Sequence, residues 1–390
     1  MTQRDGRSCV LSGGAAAILV SVMAACDPAA SPASSALASP NGGAPPAATP
    51  SASPAPSLGP ISVELHALDP RYVPGGALTS ASGQVLWAAG ETWPSEIWRY
   101  VPGTAEPERL FASPREDSNI TAVVAARSGY AFVELSQSAY GDGGWRIWFL
   151  SGPGEEPVEL DRGGAKGAGF APTIAMDDER IVWAGFDEPG SGAISRLAMA
   201  SIGDLGTVTT LLQVPVREGL LWYPALNGEE LWYGIIRADF DATGAGDEFH
   251  LEMLDLANFD APPVRFPGSG NDFNPAVNDR FVVWKTADPG NAALTWGTLR
   301  VLDRQTHAVV TIPVADGNRP SIGDRYVAFE EITRSRLVVY DTVTGAVLDL
   351  RPPESPGTVG YGGQSVSGRL LAFYTQGTGR TQIGWAVLPE

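Results

Sequence analysis

Short runs of β-branched and aromatic residues, each entered through a polar turn and closed by an aromatic ring, return along most of the chain. Residues 274–284 and 319–329 are the clearest copies. In both, a proline (Pro275, Pro320) is followed two places on by an apolar residue. A polar turn, an arginine (Arg280, Arg325) and an apolar run to Trp284 or Phe329 come next. The pattern recurs from Pro224 to Tyr233, from Pro172 to Trp183 with two residues inserted, and at residues 368–373 without the proline. Fainter copies lie at residues 83–87 and 127–132. The rings Trp87, Phe132, Trp183, Tyr233, Trp284, Phe329 and Phe373 are spaced by 45, 51, 50, 51, 45 and 44 residues. That period belongs to a four-stranded propeller blade, not to a helical repeat.

Each copy carries further strand signals downstream. In the sixth, residues 325–329, 336–340 and 346–350 alternate in the way a half-buried antiparallel strand requires, and Thr344-Gly345 supplies a turn. The fifth matches it with residues 298–302 and 308–312. The last copy runs out of chain after residues 383–388, so its outermost strand is missing. Residues 61–68 form a strand without a repeat of its own. The simplest closure pairs the two, which removes the open sheet edges that invite aggregation. The expected fold is therefore an all-β, seven-bladed β-propeller whose amino-terminal strand completes the last blade, with six blades as the alternative should one faint copy fail.

Three segments divide the chain: 1–25, 26–60 and 61–390. In the first, Arg4 and Arg7 precede an apolar run too short for a comfortable membrane span, which ends Met23-Ala24-Ala25-Cys26. Small residues before a cysteine look like the lipobox of bacterial lipoproteins, in which the cysteine, here Cys26, carries the lipid. An ordinary signal peptide with a chance cysteine is the plainer alternative. Cys9 is the other cysteine and would leave with the signal, so the exported domain would hold no disulfide. The second segment is almost wholly Pro, Ala, Ser and Gly and lacks the apolar residues needed to fold. It reads as a tether reaching about 100 Å at most. The expected location is extracytoplasmic, held to the membrane through the lipid alone.

A formal charge of −18 repels phosphate backbones and anionic headgroups, which argues against nucleic acid as a partner. His66, His250 and His307 fall in different repeats without metal-ligand spacing. There is no nucleophile elbow and no phosphate-binding glycine loop, so no catalytic residue is assigned and no cofactor is expected. Residues 239–244 read Asp-Phe-Asp-Ala-Thr-Gly, a spacing that would aim Asp239, Asp241 and Thr243 at one calcium ion. A solvated hairpin tip needs the same residues, and His250 stands where a bidentate glutamate belongs.

Of the eleven tryptophans, Trp87, Trp183 and Trp284 occupy the repeated ring position and Trp232 adjoins it. These are expected in the core between blades. Trp93, Trp98, Trp145, Trp148, Trp222, Trp296 and Trp385 are less constrained. Loops leading from one blade's outer strand to the next blade's inner strand form the mouth of a propeller's channel. The corresponding residues here are Phe170, Trp222, Asn271, Asp272, Asn274, Asn318, Arg319 and Tyr361. They vary from repeat to repeat where the core positions do not, and variation on a constant scaffold is where specificity can be built.

The motif Pro-x-x-x-Asp-Arg-x-Val-x-Trp/Phe, with copies at Pro275 and Pro320, resembles the TolB-type propeller repeat over residues 61–390. The turns Asn278-Asp279-Arg280 and Gly323-Asp324-Arg325 lack that family's usual proline. The resemblance implies a propeller that docks other proteins in the cell envelope, although TolB's α/β domain is replaced here by the anchor and tether. The expected role is a monomeric binding or scaffolding module for an envelope protein or surface polymer. A carbohydrate-active lyase or hydrolase using acidic loop residues such as Asp272 is the alternative, and a purely structural surface protein is a third.

Overall fold

The computed structural model describes residues 62–67, 73–104, 106–136, 144–164, 171–186, 193–216, 218–237, 248–266, 271–287, 297–331, 336–350, 358–377 and 382–390. Seven four-stranded antiparallel sheets account for nearly all of them. Blades 1 to 6 are continuous in sequence, at residues 73–112, 118–163, 173–215, 220–265, 272–315 and 317–350. Blade 7 takes three strands from residues 358–387 and its outermost strand, Val63–Ala67, from the other end of the chain. The innermost strand of each blade lies against those of both neighbours, and the seventh meets the first. The sheets therefore form a closed ring.

Closure follows the register Val63↔Ala386 to Ala67↔Gln382. Glu64 accepts a hydrogen bond from the Trp385 indole at 3.1 Å, while Val63 and Leu65 pack on the core between blades 6 and 7.

The repeated rings all fall on the second strand of a blade, and none is more than 2% exposed. Successive side chains on a strand point to opposite faces, so the ring and the residue before it face different neighbours. Trp284 packs with Trp232 and Leu251 of blade 4, whereas Val283 packs with Phe329 of blade 6. Seven such clusters, one per blade junction, make up the core. Trp145 and Trp385 correct the sequence reading: they are 2% and 5% exposed and belong to junction clusters. Each sits on a third strand, where no repeated ring position marks it. Trp93, by contrast, is 40% exposed.

The arginine of the repeat ties the hairpin to the third strand. Arg280 donates to Asp303 at 2.9 Å and Arg325 to Asp341. Burial alone would raise the Asp341 carboxyl. The Arg325 guanidinium, the Thr344 hydroxyl and the Val343 amide outweigh it and hold the carboxyl below the usual carboxylate range. The turn itself is pinned by Asn278, whose Oδ1 accepts from the amides of Arg280 and Phe281 at 2.9 and 2.7 Å. This is the short polar turn that Asn favours.

Candidate functional site

The proline of the repeat marks a break in the innermost strand. In blades 4, 5 and 6 the pairing with the second strand skips between Trp222 and Ala225, Phe273 and Ala276, and Asn318 and Ser321. Blade 7 skips between Gly362 and Gln364. Each break contains one residue in the left-handed region, namely Tyr223 (φ 51°), Asn274 (53°), Arg319 (48°) and Gly363 (62°). An extra residue of this kind bends the strand and re-aims its side chain. For a residue with a Cβ, the left-handed conformation costs about 1–3 kcal/mol, so it persists only where the surroundings enforce it.

These bulges sit near the start of each innermost strand, where the chain arrives from the preceding blade. They ring one entrance of the channel. Trp222 and Tyr223 stack in parallel, with centroids 5.2 Å apart and planes 4° from parallel. The Tyr223 amide donates to the Thr173 hydroxyl of blade 3 at 3.0 Å. Asn274 is 7% exposed, and its side-chain oxygen accepts from no donor among the described residues. Asp272 is 2% exposed and accepts from the Thr286 hydroxyl at 2.6 Å. Arg319 is exposed, and its backbone carbonyl accepts from Gln364 Nε2 of blade 7 at 2.6 Å.

Two charged residues join this set without having been foreseen. Lys285 is fully buried, places Nζ 3.3 Å from Asn318 Oδ1, and lies 5.5 Å from the centre of the Phe273 ring. Glu330 pairs with Asn318 across the blade 6 hairpin and is half-buried. Burial pushes its carboxyl above the usual range, while the charges of Arg319 and Lys285 pull the other way. Burial also raises the Tyr223 phenol, again with Arg319 opposing. Tyr223 of blade 4 and Arg319 of blade 6 thus feel each other across blade 5, with Asn274 on the strand between them. The sequence held a signal for both charges. The position after each repeated ring reads Ala88, Val133, Ala184, Gly234, Lys285, Glu330 and Tyr374. Charge enters it at two adjacent blades and nowhere else.

Of the expected mouth residues, Trp222, Asp272, Asn274 and Arg319 are brought to this entrance. Tyr361 lies on the innermost strand of blade 7, opposite Thr375. Phe170 is outside the described residues. So are Asp239, Asp241 and Thr243 of the calcium motif, and Cys26. Among the described residues, no group of three or more His, Cys, Asp or Glu is placed to hold a metal ion. His250 is a buried strand residue whose Nε2 lies 2.9 Å from Glu252, which also accepts from Tyr233 at 2.6 Å.

No protein-family model and no curated protein matches the chain. Solved structures do. A streptogramin B lyase aligns with a TM-score of 0.55 at 12% identity, over 84% of this chain and 98% of its own. The propeller domain of the trilobed protease from Pyrococcus furiosus, described as having an open velcro topology, aligns at 0.56 with 10% identity over 82% and 94%. A prolyl endopeptidase aligns at 0.56 with 10% identity over 80% of this chain, which spans only 46% of that enzyme. At such identities the likeness is one of architecture, and together with the seven closed blades it shows a seven-bladed β-propeller fold.

Proposed function

We propose that the protein is a TolB-like propeller lipoprotein, anchored through Cys26 outside the cytoplasm, that binds an envelope protein or exposed polymer at the channel mouth of blades 4 to 7. The observation that carries the reading is the run of three left-handed, non-glycine residues, Tyr223, Asn274 and Arg319, on consecutive innermost strands. Of the three only asparagine enters this region readily, and none of the positions holds the glycine that would relieve the strain. Each of the three presents a different chemistry, an aromatic phenol, an amide and a guanidinium, on the same backbone device. Partner selection of this kind needs no reacting group.

The carbohydrate-active reading retains one supporting observation, the half-buried Glu330 carboxyl that burial pushes upward. A glycosidase needs a second carboxylate facing it across the substrate. Asp272, the residue first considered for that part, is buried with its carboxylate engaged by Thr286. Incubation with cell-wall polysaccharides separates the two readings, because reducing ends released by the native protein and lost in Glu330→Gln would favour the enzyme.

The binding reading is tested by mild crosslinking in intact cells, comparing the native chain with Cys26→Ala. The native chain should stay with membranes and recover one envelope protein in near-stoichiometric amount. The variant should be released and recover little of it. Membrane retention of the variant would overturn the anchor, and recovery of nothing above background by the native chain would overturn the scaffold.

A further inference from the structure

Three polar groups at the mouth lack the partners such groups ordinarily have. The side-chain oxygen of Asn274 has no donor among the described residues although the residue is 7% exposed. An unsatisfied buried acceptor costs about 1–3 kcal/mol. The half-buried Glu330 carboxylate and the Arg319 guanidinium make no hydrogen bond or ion pair among the described residues. Arg280, Arg325 and Arg336 are by contrast tied to Asp303, Asp341 and Glu331, while Arg300 of blade 5 also has a buried Nε without a partner among the described residues. Arg319 directly follows Asn318, which is the register partner of Glu330. Two opposite charges therefore share one bulge without closing on each other. The left-handed backbone holds Arg319 out of the sheet, and Gln364 holds its carbonyl in place. The mouth thus presents the Arg319 guanidinium, the Glu330 carboxylate with the Lys285 ammonium near it, the Asn274 side-chain oxygen and the stacked pair of Trp222 and Tyr223.

We infer that this mouth binds an α-carboxylate whose own α-nitrogen is a hydrogen-bond donor, that is, a free amino acid or the carboxyl end of a peptide. The inference rests on the mouth being the binding surface. Arg319 receives the carboxylate through paired N–H donors, the geometry a guanidinium offers best. Glu330 accepts from the α-nitrogen, and Asn274 Oδ1, closed to solvent in this structure, accepts a second donor once its side chain turns toward the mouth. An ammonium brings three donors and meets both acceptors, whereas a peptide amide brings one. The overall charge of −18 favours the free amino acid, a zwitterion with no net charge to be repelled, over a blocked peptide end, which approaches as an anion. A sugar acid offers the carboxylate but no nitrogen donor, so it leaves Glu330 unmatched.

The test is calorimetric titration of the full-length protein with the proteinogenic L-amino acids one at a time, N-acetyl-dialanine, its C-terminal amide, and galacturonate. At least one probe with a free α-carboxylate should bind, the amide should not, and Arg319→Gly should weaken binding by about ten-fold or more through loss of a charge-assisted pair. Arg319→Gly suits the left-handed site, so its folding is preserved, and its melting temperature checks this. Glu330→Gln should weaken a free amino acid more than the acetylated peptide. Equal binding of acid and amide, binding of galacturonate alone, or no binding by any probe would each overturn the ligand class. If galacturonate binds and Arg319→Gly abolishes it, the mouth survives as the binding surface. If Arg319→Gly leaves every affinity untouched, the mouth falls too.

Discussion

Blades 6 and 7 build the same bulge from different residues. In blade 7 the left-handed position is Gly363, and nothing larger fits: a Cβ there would lie 2.5 Å from the Tyr374 ring, in a cluster that closes blade 7 onto blade 1. In blade 6 the same position is Arg319, exposed and strained at φ 48°. Glycine in blade 7 answers a packing demand. Arginine in blade 6 answers none, and its backbone strain is unopposed by any contact its guanidinium makes among the described residues. The backbone device is shared, and if the mouth is the binding surface, its occupant at blades 4, 5 and 6 is where the chain gives up stability for chemistry.

The comparison breaks first at the junctions, which both blades need. Trp284→Ala removes a fully buried ring that meets Phe266 edge-on at 5.0 Å and should lower unfolding free energy by about 3–5 kcal/mol, measured by urea denaturation. Gly363→Ala adds a strained conformation to a clash with a buried ring, and a loss of about 2–4 kcal/mol is expected. A loss below that range would mean blade 7 holds its glycine for some reason other than packing. Asp341→Asn cuts the tie from Arg325 and should cost about 1–3 kcal/mol near neutrality. Because the folded carboxyl sits below its ordinary range, its contribution is present above that range and is lost as pH falls through the lowered value. The variant's stability should therefore fall less steeply on acidification than the native chain's. The smallest effect has the opposite sign: Arg319→Gly relieves strain and should raise stability by about 0.5–1 kcal/mol, even as it removes binding. That opposition of signs separates a functional residue from a structural one.

The architecture was legible because it repeats. Seven rings at a near-constant spacing locate seven second strands, and an orphan strand at one end of residues 61–390 with a blade short of a strand at the other locates the closure. The site was legible only in part. Asn274 and Arg319 could be placed because they precede the prolines of the clearest repeats, but sequence gave no reason to expect them in a left-handed bulge. The skip in register depends on how inner strands crowd around an axis. Lys285 and Glu330 were passed over because they sit inside strand runs that read as core. Their meaning appears only when the position after each ring is compared blade by blade. Trp145 and Trp385 were underestimated for a related reason, since third strands face the junctions without a repeated marker. Asp303 and Asp341 went unnoticed as partners of Arg280 and Arg325 because strand pairing, not sequence spacing, brings them together.

If the mouth of blades 4 to 7 is the contact surface, Arg319 is its most specific element. Quantitative crosslinking in intact cells, with native chain and Arg319→Gly expressed at matched levels, tests it most directly. The account predicts that the variant is at least as stable as the native chain and stays on the membrane, yet recovers several-fold less of the bound envelope component. Undiminished recovery by a stable, correctly located Arg319→Gly would contradict it.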